Sequence, residues 1–268
     1  EYFPASALTL QQMSQSEPVN LIRLIAIELA KMHSLDFESS TDKNSFSKKE
    51  AVCWKRIEKW FYSCKKLTFP EDPDKQKLLK SIDLGKLEES IKKCKMKFDH
   101  SHPLPNNPGS DFINEVVLCH NDLLNGNILL PNDIDGLEKI KQKVIFVDYE
   151  YTGYNTRAFD IANHWNEHAG FDCDFTNGYP TDAKQMEFIR HYVEKSNPEM
   201  LSMKDWDIMS EEMASTINKN ALISHLTWIT WAILQSKYSQ VDFDYLKYAN
   251  LRIQGFKMHS QKYFGESF

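Results

Sequence analysis

The stretch VVLCHNDLLNGNILL, Val116 to Leu130, constrains this chain more than any other. Two apolar, β-rich runs flank a knot of His120, Asn121, Asp122, Asn125 and Asn127. Polar groups set beside a core must find hydrogen-bond partners or do chemistry. A third apolar run, VIFVDYEY, ends in Asp148. The segments expected as strands are 116–119, 127–130 and 144–149, with PNDIDG supplying turn residues between the last two.

Most of the remainder reads as helix. Leu21, Ile25, Leu29 and Met32 form one apolar face ending near His33, with Ser16-Glu17-Pro18 as its expected start. AVCWKRIEKWFYSC is a second helix, and residues 74–98 are a third, its Lys and Glu forming a solvated face. DHSHPLPNNPGSDF is a loop by its prolines and glycine. Helix is expected again beyond Arg157, the longest stretch running over 205–238. The fold class is therefore α+β: mostly helical, with a small β element holding the polar knot.

Length and charge narrow the function classes. A chain of 268 residues buries enough core to need no disulfide staples. Its net charge of −6 argues against nucleic acid, or an anionic membrane, recognised by bulk charge. No apolar run reaches the ~18 residues of a membrane-spanning helix, so no stable membrane insertion is expected. Five cysteines with no C-x-x-C pair read as reduced thiols of a cytoplasmic protein.

Phosphoryl transfer needs few protein groups: a carboxylate to orient and deprotonate the attacking hydroxyl, and oxygen ligands for magnesium. Asp122 suits the first role, and Asn127 with Asp148 the second. His120-x-Asp122 followed by Asn127 has the order of the protein-kinase catalytic loop. The bland alternative is a hairpin turn built from Asn and Asp. The strand ending in Asp148 favours the kinase-type reading. His120 is expected to brace the loop by hydrogen bonds and not to transfer protons.

VVLCHNDLLNGNILL followed by VIFVDYEYTGYNTRAFDIANHWNEHAGF resembles the choline/ethanolamine kinase family. Leu123-Leu124 and NHWNEHAG are closer to the ethanolamine kinases. Similarity continues through SHLTWITWAILQSKYSQVDFDYLKYANLRIQGF and, more weakly, LIRLIAIELAKMHSLDF, so it covers most of the chain. The resemblance implies the large, C-terminal lobe of a protein-kinase-like fold, using ATP and Mg²⁺ on ethanolamine or choline, with a homodimer as the assembly it suggests. It makes Asp122 the catalytic base and Asn127 and Asp148 the metal ligands. Leu124 and Asp148 would face the nucleotide, and Asp160 would tie down the catalytic loop; an N-cap role for Asp160 stays open.

EYFPAS resembles the hinge between lobes, so residues 1–8 are expected as hinge, with Tyr2 and Phe3 at the adenine, and residues 9–268 as the C-terminal lobe. The first glycine is Gly85, and nothing before the knot resembles a Gly-rich phosphate lid. The N-terminal lobe is thus expected to be absent from this sequence, and the segment alone inactive.

The ammonium group of the acceptor would be held by Glu150, Tyr151, Glu167, Trp228, Trp231 and Tyr248. On an extended chain Glu150 would share a side with Asp148, and Trp228 and Trp231 share a helix face. Without the resemblance, aromatics at that spacing read as core. Where choline kinases often carry Tyr after the position of Glu167, this chain has Phe171 and Asp172. Two other readings compete: a pseudokinase-type binding protein, disfavoured by intact Asp122, Asn127 and Asp148, and an aminoglycoside-kinase-like phosphotransferase, disfavoured by the aromatic set.

Overall fold

A computed structural model describes residues 4–35, 51–98, 108–131 and 143–266. Strand β1 (Ala5–Ala7) and the short helix α1 (Leu10–Met13) lead into α2 (Leu21–His33). Helix α2 starts later than expected. Asn20 is its N-cap, accepting the Arg23 N–H at 2.7 Å, while the Ser16 hydroxyl is drawn away to Glu187. Its apolar face is buried as the spacing predicts.

Helix α3 (Val52–Cys64) follows. The single helix expected over 74–98 is two, α4 (Pro73–Ser81) and α5 (Leu84–Lys97). The break arises because Asp83 caps α5 by accepting the Lys86 N–H at 3.0 Å. Helix α6 (Pro108–Ile113) occupies the end of the segment read as loop.

Strands β2 (Val116–Cys119), β3 (Ile128–Pro131), β4 (Ile145–Phe146) and β5 (Gly153–Thr156) make two small antiparallel sheets, ordered β1-β3-β4 and β2-β5. The polar knot is the link between them. Of the expected strand 144–149 only two residues pair, Ile128 facing Phe146 and Leu129 facing Ile145. Strands β1 and β5 were not legible in the sequence. Pro131 of the PNDIDG turn ends β3, and the rest of that turn is outside the described residues.

Helices α7 (Arg157–Glu167), α8 (Asp182–Ser196), α9 (Trp206–Tyr238) and α10 (Tyr245–Phe264) complete the chain. The 33-residue α9 is buried nearly all round its middle, polar side chains such as Asn220, Ser224, His225 and Thr230 included. Met213, Ile217 and Ala221 pack into one core with α2 and α8. From Leu222 onward α9 packs into a second core with α3, α5 and α10. Gly255 lets α10 close on α9, since a Cβ there would lie 2.7 Å from the His225 ring. Helix α7 lies between the cores, giving Phe159 to one and Ile161, Ala162 and Trp165 to the other. This is the α+β architecture expected. Among the described residues no helix is long and apolar enough to cross a membrane.

Candidate functional site

The knot is anchored from below by α7. Thr156 caps that helix by accepting the Phe159 N–H at 3.1 Å, so Asp160 is no N-cap. Asp160 lies one turn further on, fully buried. It accepts the backbone N–H groups of His120 (2.8 Å) and Asn121 (2.7 Å) and the His33 Nε2–H (3.0 Å). Burial alone would raise its carboxyl. The hydrogen bonds from His33 and from the backbone N–H groups outweigh that and hold it below the usual carboxylate range. His33 in turn accepts from Tyr192, which accepts from Arg157.

Most remaining polar groups of the knot have partners of their own; the buried His120 Nδ1 has none. His120 donates from Nε2 to the Val147 carbonyl at 3.0 Å, tying β2 to the segment that carries Asp148. Asn121, in the left-handed region at φ 65°, reaches the carbonyls of Cys119, Tyr151 and Gly153 with Nδ2 and accepts from Asn155 with Oδ1. His164 donates from Nδ1 to the Leu123 carbonyl at 2.9 Å. Leu124 is half-buried, and its carbonyl accepts the Asn127 N–H.

Asp122 is buried, and its carboxyl is pushed up to about 8. Burial is the main cause, followed by the negative charges of Glu167, Asp148 and Glu150, with the Asn127 hydrogen bond opposing. Such a carboxyl ionises readily once cations enter beside it. Asn127 gives its Nδ2 to the Asp122 carbonyl (2.8 Å) and to Asp122 Oδ2 (3.3 Å), which leaves Oδ1 for a hard cation. The Asp148 carboxylate is exposed. An amide oxygen and a carboxylate fit Mg²⁺. His33, Cys119 and Asp160 also bring ligating atoms within 4.8 Å of one another. They are already bonded, His33 to Asp160 and the Cys119 thiol to the Asn155 carbonyl, and belong to the scaffold.

The extended chain expected over 148–150 is not formed. Asp148 sits at φ 64° and Glu150 begins a turn, so alternation along a strand does not govern where Glu150 points. Tyr151, Trp228 and Trp231 do come together. The Trp231 indole N–H donates to the Tyr151 hydroxyl at 2.8 Å, and Trp228 lies edge-on to both rings. Phe243 and Tyr245, not singled out in the sequence, continue the wall to Tyr248. Trp228 is also core, with its N–H on Asn163 Oδ1 at 2.7 Å.

Glu167 is buried against Arg252 at 3.0 Å, and Arg252 reaches Tyr248 and Ser224 as well. Burial raises the Glu167 carboxyl and the guanidinium opposes this. Arg252 lies four residues after Tyr248, a spacing that could have drawn notice. Arg56 donates to the Tyr151 carbonyl from 95 residues away and had no local signal. Tyr2 and Phe3 are outside the described residues.

The choline/ethanolamine kinase family model matches residues 1–257. The chain belongs to that family. It is 36% identical over 252 residues to a probable ethanolamine kinase of Arabidopsis thaliana, covering 94% of this chain and 59% of that protein. It is 33% identical over 262 residues to ethanolamine kinase 2 of Mus musculus, covering 97% and 58%. A solved ethanolamine kinase from Plasmodium vivax superposes with TM-score 0.73 at 26% identity, covering 96% of this chain and 63% of that one. This family member thus spans less than two thirds of the length of those relatives.

Proposed function

We propose that the full-length protein is an ATP- and Mg²⁺-dependent kinase that phosphorylates the hydroxyl of ethanolamine, and of choline less well. The observation that carries this is a buried Asp122, held by Asn127 and crowded by Asp148, Glu150 and Glu167. Relatives at 33–36% identity bear the name ethanolamine kinase.

In this reading Asp122 orients the acceptor hydroxyl and takes its proton as the oxygen attacks the terminal phosphorus of ATP and the bond to ADP breaks. Asn127 fixes the Asp122 carboxylate through Nδ2 and offers Oδ1, with Asp148, to magnesium. The bound ion supplies charge neutralisation at the phosphate oxygens. Leu124 lies toward the nucleotide. Asp160 and His120 hold the loop and touch no substrate. Tyr151, Trp228, Trp231 and Tyr248 face the ammonium, and Glu150 and Glu167 supply negative potential. A primary ammonium carries three N–H donors and gains from acceptors, whereas a trimethylammonium depends on aromatic faces and charge alone.

We take residues 1–8, with Tyr2 and Phe3, as the hinge and 9–268 as the large lobe. Five unpaired cysteines, four of them buried, support a cytoplasmic protein. A homodimer is the assembly implied by the family. Assay of the full-length protein with ATP, Mg²⁺ and each alcohol tests the reading. Phosphoethanolamine formation abolished by Asp122→Asn is expected; a well-folded protein inert toward both alcohols refutes it.

A further inference from the structure

The negative charges of three carboxylates, Glu167, Asp148 and Glu150, act on Asp122, the candidate base. A phosphoryl group arriving there adds more negative charge. The proposed metal ligands, Asn127 and Asp148, answer for the nucleotide side; the acceptor side needs a cation of its own.

Arg56, on α3, is placed for that need. Its Nη2–H donates to the Tyr151 carbonyl at 3.1 Å. The same oxygen takes the Asn121 side-chain N–H at 3.0 Å, and Asn121 precedes Asp122. The guanidinium carbon lies 5.4 Å from the centre of the Tyr151 ring and 5.8 Å from that of Trp60, so the fork is stacked and held. The Asp122 charge acts on it, offsetting part of the cost of its burial. A guanidinium has five N–H donors and meets phosphate oxygens in pairs, which an ammonium cannot do.

We infer that Arg56 holds the oxygens of the phosphomonoester forming beside Asp122, and so retains the product until it leaves. The inference rests on the kinase reading above. A plain bracing role is the competing account: Arg56 would only fix Tyr151 in the aromatic wall.

The two accounts move different constants. Arg56→Met and Arg56→Lys are made in the full-length protein. Inhibition by phosphoethanolamine, the KM for ethanolamine and the melting temperature are then measured. If Arg56 holds phosphate, the Met variant needs at least about tenfold more phosphoethanolamine for equal inhibition, the loss of one charge-assisted contact of about 1.4 kcal/mol or more. Its KM for ethanolamine does not rise, because the cationic substrate has lost a like-charged neighbour. The Lys variant falls between, keeping charge without the fork. Should Arg56→Met not fold, Arg56→Gln carries the same comparison. Equal rises in both constants, or product inhibition within twofold of the parent protein, overturn the inference alone. A parent protein inactive on both alcohols overturns the kinase reading, and this inference with it.

Discussion

Replacing Asp160 by Asn keeps the shape of the side chain and removes one acceptor and one charge. The carboxylate satisfies three buried donors at once, two backbone N–H groups and His33. The amide has one oxygen, and its NH₂ must face either the backbone pair or the imidazole. At least one buried donor loses its acceptor, at about 1–3 kcal/mol, and the surviving bond falls from charged to neutral, about 1 kcal/mol more. A net loss of about 2–4 kcal/mol leaves the fold intact but lowers the melting temperature by about 4–16 °C at ~2–4 °C per kcal/mol. Because Asn121 shares this anchor with Asp122 next to it, kcat should fall roughly 10²-fold, the scale of a 1 Å misplacement.

The acid side gives a second check. The Asp160 carboxyl is depressed in the folded state, so its contribution is present above the unfolded value of about 3.9 and is lost as pH falls through the lower folded value. That part of the acid sensitivity should vanish in Asp160→Asn. Thermal denaturation against pH, with steady-state kinetics, measures all three effects. A variant within 1 °C and twofold of its parent, at every pH, would refute the anchoring argument.

Asp122→Asn should lower kcat by about 10²–10⁴-fold with nucleotide affinity retained, while Asp148→Asn should raise the magnesium needed; titrating Mg²⁺ in both separates the roles. Glu167→Gln leaves Arg252 buried without its anion and should cost about 3–5 kcal/mol in urea unfolding, most of it regained on adding Arg252→Met. Trp228→Ala empties core and should cost about 3–5 kcal/mol, whereas the half-buried Trp231→Ala should fold and reduce choline use more than ethanolamine use in competition assays. Burial lowers His164 to about 4 and His259 to about 3. The unfolded chain therefore binds their protons first as pH drops below about 6.5, and each withdraws about 1.4 kcal/mol of stability per pH unit from there down to its folded value. A urea midpoint that stays flat from pH 7.5 to 5 would contradict this.

What the sequence disclosed was mainly local. Val116–Cys119 and the turn that follows could be read because apolar runs and Asn/Asp turn chemistry act within a few residues. The partners that finish the site act across the chain: Asn163 on Trp228 from 65 residues away, Arg252 on Glu167 from 85 and Arg56 on Tyr151 from 95. No periodicity encodes such contacts. Two misreadings share another cause, a local rule displaced by a competing hydrogen bond. Ser16 yields its capping role because Glu187 attracts its hydroxyl. The helix over 74–98 breaks because Asp83 caps the following turn more favourably than it could continue the previous one. The strand expected through Asp148 stops short because the Asp148 backbone is left-handed, so alternation does not set the direction of Glu150.

That left-handed geometry also limits which sequences can drift away from this one. Asn121 at φ 65° and Asp148 at φ 64° occupy a region costing most L-residues about 1–2 kcal/mol, which Asn, Asp and Gly tolerate. A lineage released from selection for activity would still feel the backbone at both positions. Its decay should run through Gly at 121, and through Asn or Gly at 148, before Ala or a β-branched residue. The chemistry and the chain path draw on the same few amino acids, so loss of one can leave the signature of the other behind.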